Sequence, residues 1–197
     1  MAPLERIYVK ASIALWIVWY VYWIVSARHR VRDTSEAPVK RESLTGRLGY
    51  TTLIAAGFAM LFWRRPPFSL GHLWPSSLVA TTAGLVVQAA GLAFAIWARH
   101  TLGSNWAGRI TIGGNQQLVI RGPYRIVRHP IYSGLLLGVL GTAIIEGQVR
   151  GLLGWLLVVV GVAIKLRREE AALREHFGGA YQEYAARVPG LVPMVRG

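Results

Sequence analysis

Two short stretches of this chain carry residue types and spacings that can do chemistry. The first is Gly122-Pro123-Tyr124-Arg125-Ile126-Val127-Arg128-His129-Pro130-Ile131-Tyr132-Ser133-Gly134, directly ahead of a long apolar run. The second is the pair Glu169-Glu170, which follows another apolar run. Pro130 suits the first position of a helix, because its missing N–H costs nothing there and its φ is already helical. Arg128 and His129 then stand at the mouth of a helix that enters an apolar span. Exposed amide groups at such a mouth, with an arginine beside them, make an anion-binding corner. Tyr132 adds an aromatic face and a hydroxyl nearly one turn further in. Gly134 removes side-chain bulk, permitting close approach by a ligand or a neighbouring helix. For Gly138 and Gly141 close helix packing is the better reading.

The elements that must position these groups are membrane helices. Of the 197 residues 53% are hydrophobic and only 16% charged, against about 25% charged in an ordinary soluble domain. Apolar spans are expected at about 7–25, 48–63, 78–97, 131–148 and 151–167. The second is short for a bilayer core of about 30 Å, so it is expected either to tilt little or to be extended by Arg64 snorkelling. The fold class is therefore all-α: a polytopic integral membrane protein of about five transmembrane helices with a cytoplasmic carboxyl-terminal helical segment, in one domain over residues 1–197. Seventeen of the 22 Lys and Arg residues lie between spans one and two, between three and four, or after five. The positive-inside rule then places the amino terminus outside and the carboxyl terminus, with every chemistry-rich loop, in the cytoplasm. Val25-Ser26-Ala27 loosely fits a signal-peptide end, but Arg28, His29, Arg30 and Arg32 follow at once, so the first span is expected to stay. The polar loop Arg28–Arg47 is expected along the membrane surface, and Arg64-Arg65-Pro66-Pro67 and Trp74-Pro75 mark an external loop.

A net charge of +13 would suggest nucleic acid in a soluble protein. Here the basic residues cluster between apolar spans, facing anionic lipid, so membrane lipid is the expected partner and nucleic acid is not. The chain has no cysteine, which removes disulfides, thiolate metal sites and cysteine nucleophiles together. No histidine stands in a metal-ligand pattern, so no metal is expected. Phosphate-binding glycine loops and the Gly-x-Ser-x-Gly elbow are also absent.

Spans four and five read as a tight hairpin turning near Gln148-Val149-Arg150. Counted from Val149, His129 lies twenty residues back and Glu169 twenty forward, so both stand at one depth, at the cytoplasmic rim. Adjacent glutamates point about 100° apart on a helix, so Glu169 and Glu170 serve different jobs. The plainest reading of Arg128, Glu169 and Glu170 is interfacial ion pairs anchoring two helix ends. Beyond Glu170, Leu173, Phe177, Tyr181 and Tyr184 form one helical face interrupted by Gly178-Gly179, which reads as packing against the rim rather than a cofactor box. Gly113-Gly114-Asn115 is a turn signal.

Taken together, these residues resemble the isoprenylcysteine carboxyl methyltransferases and the related membrane phospholipid methyltransferases. The likeness covers roughly the carboxyl-terminal half. It starts at Leu102-Gly103-Ser104-Asn105-Trp106 and runs through Gln117-Leu118-Val119. Its core is Gly122–Gly134, and it resumes at Glu169-Glu170, Leu173, Phe177-Gly178, Tyr181, Tyr184 and Val188-Pro189. The resemblance implies S-adenosylmethionine as methyl donor, held at the cytoplasmic end of the last two spans. It implies a cofactor site drawn from Leu118, Val119, Gly122, Tyr124, Arg128, His129, Pro130, Tyr132, Gly134, Glu169 and Glu170. Arg128, Tyr132 and Glu170 are the expected catalytic residues. It makes residues 101–197 the catalytic half, and the three spans in 1–100 the part that faces substrate and lipid.

Arg128 and helix amides would then hold the donor's carboxylate, a glutamate its ribose or amino group, and an aromatic face its sulfonium. The acceptor is lipophilic: a prenylated cysteine carboxylate, a phospholipid amine or a small thiol. Membrane sterol and steroid reductases, which bind a nicotinamide cofactor, look similar around Arg-His-Pro. They typically carry Asn where this chain has Ile131, and they are longer. A non-enzymatic scaffold or small transporter would show polar residues at mid-membrane depth, where this chain offers only Gln88 and a few Ser and Thr.

Overall fold

A computed structural model describes residues 3–28, 43–62, 71–103 and 117–193. Six helices account for most of them: α1 (Pro3–Arg28), α2 (Leu44–Phe62), α3 (Leu78–Leu102), α4 (Pro130–Glu146), α5 (Val149–Phe177) and α6 (Gly179–Arg187). A 3-10 turn, Gly122–Arg125, precedes α4. Among the described residues the β-structure consists of a single bridge between His72 and Gln148. Most of the loop expected between the first two spans, together with Arg64-Arg65-Pro66-Pro67, Ser104-Asn105-Trp106 and Gly113-Gly114-Asn115, lies outside the described residues.

By length and composition, Arg6–Ala27, Leu78–Leu102 and Val149–Phe177 can cross a membrane, while Pro130–Glu146 is apolar but shorter. Several helices outrun the apolar stretches that announce them. α5 has 29 residues, which at 1.5 Å each gives about 43 Å and carries its last turns past a core of about 30 Å. The α4–α5 turn forms as expected, through Gly147 at φ 61° and Gln148 as the α5 N-cap.

α4 finds its closest partner in α3 rather than in α5, and the cause is small residues. A Cβ on Gly91 would stand 2.6 Å from the Gly134 carbonyl oxygen and 2.7 Å from the Gly138 nitrogen. A Cβ on Gly84 would lie 2.7 Å from the Gly141 oxygen. Backbones approach this closely only where side chains are missing, which is how helices gain contact in a lipid environment. α2 meets α5 in the same way: a Cβ on Gly154 would lie 2.7 Å from the Gly57 oxygen. The two pairs then join through Leu61, Val139, Ala143, Val158, Val162 and Leu166. Trp155 donates to the Leu136 carbonyl across this seam at 3.0 Å.

α1 is attached more lightly. Trp16 donates to Thr142 Oγ1 at 3.0 Å, and Gln88 donates to the Ser12 carbonyl at 3.0 Å. Its other face leaves Ile13, Ile17, Val18, Val21 and Ile24 exposed, as suits a surface solvated by lipid tails.

Buried arginines fasten helix ends on both sides. Arg150 is 2% exposed and pairs with Glu146 at 3.1 Å. Its Nη1 donates to the Met60 and Leu61 carbonyls at 2.6 and 3.0 Å. These are last-turn carbonyls of α2, which have no partner within their own helix. At the other side, Arg99 donates to Ser26 O at 2.7 Å and Gly103 O at 2.9 Å, joining the ends of α1 and α3.

Candidate functional site

The register counted from the hairpin holds, and it separates the two glutamates. Glu170 Oε1 accepts from Arg128 Nε at 3.0 Å and Nη2 at 2.6 Å, and His129 Nε2 lies 3.1 Å away. Its second oxygen accepts from Arg174 Nη2 at 2.9 Å. Glu169, one residue earlier and so rotated about 100°, accepts instead from the Tyr132 hydroxyl at 2.6 Å. Lys165 Nζ stands 3.7 Å from the same Glu169 oxygen. That ammonium lies 5.2 Å from the centre of the Tyr132 ring and 5.7 Å from that of Tyr50 on α2, within cation–π range. The first turn of α4 therefore carries two polar clusters. Arg128, His129 and Glu170 form one; Tyr132, Glu169, Lys165 and Tyr50 form the other.

The anion-binding corner expected at the mouth of α4 is already filled. The Arg128 N–H donates to Pro189 O at 2.8 Å and the His129 N–H to Gly190 O at 3.0 Å. Ser133 Oγ donates to Leu191 O at 2.6 Å. Pro189 cannot continue α6, so the chain leaves it as a strap whose carbonyls cover the start of α4. Arg128 completes this strap, donating from Nη1 to Ala185 O at 3.0 Å and Val188 O at 2.6 Å. All three guanidinium nitrogens are thus engaged within the protein. No sequence signal placed residues 185–191 opposite α4, because the contact spans about sixty residues.

Beside Arg128 lies a cavity of about 100 Å³, lined by Gln117, Leu118, Val119, Tyr124, Arg128, Leu173, Phe177, Tyr181 and Tyr184. The stripe read as packing is here a cavity wall. Gly178 at φ 53° breaks the helix after Phe177, and α6 then carries Tyr181 and Tyr184 across from Leu173 and Phe177. Tyr184 donates to the Tyr124 carbonyl at 2.7 Å, pinning the 3-10 turn to α6. Burial raises the hydroxyl pKa of Tyr124 and Tyr184 far above the usual phenol range, with Tyr184 adding to the effect at Tyr124 and Tyr181 adding to it at Tyr184. Burial likewise pushes Tyr181 up to about 12, Glu170 adding to it and Arg128 opposing. All three are neutral donors at physiological pH.

Of the residues expected in a cofactor site, Leu118, Val119, Tyr124 and Arg128 line this cavity, with His129 and Glu170 behind Arg128. Gly122 supplies a turn at φ 58°, where a Cβ would stand 3.2 Å from the Thr101 side chain. Pro130 opens α4 and is buried there. Gly134 belongs to the α3 contact, where a Cβ would stand 2.7 Å from the Ala95 nitrogen. Tyr132 and Glu169 face the Lys165 cluster. Sequence reasoning counted Lys165 only among the basic residues after the fifth span and passed over Tyr50; the i, i+4 spacing of Lys165 and Glu169 was the available signal for the lysine.

Residues 79–180 match the family model described as phospholipid methyltransferase, and the chain belongs to that family. It is 39% identical over 82 residues to protein-S-isoprenylcysteine O-methyltransferase B of Arabidopsis thaliana, which takes in 41% of this chain and 42% of the relative. It is 42% identical over 71 residues to methanethiol S-methyltransferase 2 of Bradyrhizobium diazoefficiens, or 36% of this chain and 26% of that one. The chain spans less than half the length of these curated relatives. In three dimensions it resembles the eukaryotic intramembrane Ras methyltransferase ICMT, with a TM-score of 0.63 over 100% of this chain and 70% of that one. At 20% identity that likeness speaks for the membrane fold.

Proposed function

We propose that the chain is an S-adenosylmethionine-dependent membrane methyltransferase that acts on a lipophilic acceptor at the cytoplasmic face. The observation that carries this reading is the division of Glu169 and Glu170 between two polar clusters on one helix end. It provides a donor side and an acceptor side that share the first turn of α4. α2 and α4 would complete five spans, with the amino terminus outside and residues 101–197 as the catalytic half.

The donor side is the cavity together with the Arg128–His129–Glu170 cluster. Its aromatic and aliphatic walls suit part of a nucleoside, and its tyrosines remain neutral donors. When bound, S-adenosylmethionine supplies an activated methyl group on a sulfonium. The protein's task is then to align donor and acceptor and to exclude water. Glu170, held by Arg128, His129 and Arg174, sits as a fixed negative charge near the donor. Arg128 acts through the strap that it closes.

The acceptor side is the Tyr132–Glu169–Lys165–Tyr50 cluster. The Lys165 ammonium between two rings, with Arg168 6.0 Å from the Tyr50 ring centre, favours an anionic acceptor. A carboxylate or thiolate also needs no general base, whereas an amine must first lose a proton. A prenylated cysteine or a small alkyl thiol is therefore favoured over a phospholipid amine. Its apolar part would reach the cluster from the lipid side.

Calorimetric titration of the purified protein with S-adenosylmethionine, S-adenosylhomocysteine and NADPH tests the donor. Binding of the first two is expected, and binding of NADPH alone would return the reductase reading. For the acceptor side, Tyr132→Phe should keep S-adenosylhomocysteine affinity within about twofold. It should lower methyl transfer about 100-fold, because a positioned hydrogen bond near the reacting groups is lost. Unchanged turnover with a prenylated cysteine and with an alkyl thiol would remove Tyr132 from the acceptor side.

A further inference from the structure

Tyr181 is 1% exposed and forms part of the cavity wall beside Arg128. Among the described residues its hydroxyl proton meets no acceptor, while Arg128 can donate to its oxygen. Arg128 next to it offers no remedy, since a guanidinium carries donors alone and the phenol proton needs an acceptor. Its neighbour in the wall, Tyr184, has an acceptor in the Tyr124 carbonyl at 2.7 Å. A buried donor left without an acceptor is costly and rare in a native fold. An orphaned O–H in the wall of a cavity is thus a marker for a ligand that brings the acceptor.

The cavity limits what that ligand is. At about 100 Å³ it falls well short of the roughly 300 Å³ at which whole-ligand pockets begin, so it takes one flat ring system. Leu118, Val119, Leu173 and Phe177 supply an apolar lining. Among the described residues that line the cavity a carboxylate would find no free cation, because the Arg128 nitrogens are held by Glu170, Ala185 and Val188. A sugar would set most of its hydroxyls against the apolar faces of Leu118, Val119, Leu173 and Phe177, with Gln117 the amide beside them. What remains is a heteroaromatic base with a ring nitrogen as acceptor.

We propose that Tyr181 recognises the purine base of the methyl donor, donating its hydroxyl proton to a ring nitrogen of a base seated in this cavity. The inference rests on the methyl-donor reading above and assigns one residue within it. It also explains why the stripe Leu173, Phe177, Tyr181, Tyr184 crosses a helix break: α5 supplies the apolar wall and α6 the polar atom.

The test compares wild type and Tyr181→Phe with S-adenosylhomocysteine and its 1-deaza, 3-deaza and 7-deaza analogues by calorimetry, together with the thermal midpoint in detergent. Tyr181→Phe removes a buried hydroxyl whose proton has no acceptor, so the midpoint should change little. Affinity for S-adenosylhomocysteine should fall about tenfold, and this difference should vanish for the one analogue that lacks the accepting nitrogen. Tyr184→Phe is the comparator: it should lower the midpoint, with any affinity loss equal across all four ligands. If Tyr181→Phe loses nothing, or loses equally for all four, the assignment is overturned while wild-type binding leaves the donor reading in place. Wild type that binds none of the four overturns both.

Discussion

Arg128→Met should release the carboxyl-terminal strap and sharply weaken donor binding together. The side chain makes two hydrogen bonds to Glu170 and one each to Ala185 O and Val188 O. Removing one partner of a buried, hydrogen-bonded ion pair costs about 3–5 kcal/mol. The lower end applies here, because His129 and Arg174 stay on Glu170. Affinity for S-adenosylhomocysteine should drop by about 100-fold or more, and the bonds following residue 185 should become open to protease in detergent. Arg128→Lys should rescue little, since a single ammonium cannot span a carboxylate and two carbonyls as a planar fork does. Affinity within twofold of wild type for either variant, with the strap still protected, would show that Arg128 closes nothing.

The second large effect is expected far from any polar group. Gly134→Val places a Cβ against the Gly91 carbonyl oxygen and 2.7 Å from the Ala95 nitrogen. Both are backbone atoms of α3 and cannot rotate away, so α4 must move outward. Overpacking of this kind costs about 1–3 kcal/mol. The functional loss should be larger, because His129 and Tyr132 ride on the same turn and leave their glutamates. A displacement near 1 Å costs about 100-fold in rate, which a methyl-transfer assay reads directly. Gly138→Ala is the control: its Cβ would meet the Leu92 side chain at 2.8 Å, a group that can turn, so activity within about threefold is expected. Equal effects from the two variants would mean that the α3–α4 contact does not hold the site.

How far the sequence reached can be judged from particular residues. The α4 start at Pro130, the turn at Gly147-Gln148 and the level of His129 with Glu169 follow from helix rise and the fixed φ of proline, which are local rules. The separate duties of Glu169 and Glu170 follow from the 100° rotation between neighbours. The open anion corner failed for a reason that no local rule contains: the carbonyls of Pro189, Gly190 and Leu191 return to cover it. The stripe from Leu173 to Tyr184 has helical spacing whether it packs or lines a cavity. Its role changed because Gly178 re-aims the last turn. Gly134 carried two readings at once, and the approach of Gly91 settled its contact in favour of α3.

The sequence by itself determined the all-helical membrane fold class, the family and the common level of His129 and Glu169 on neighbouring helices. Apolar run length, charge between runs and motif spacing all act along the chain. Only the tertiary structure decided which glutamate meets which partner, that Arg128 is consumed in holding a strap, and that Tyr181 keeps a proton without an acceptor among the described residues. Those outcomes depend on how helices rotate and how closely they approach, which small residues on separate segments set together. A residue's chemistry is written locally, but its hydrogen-bond partners come from wherever packing brings them.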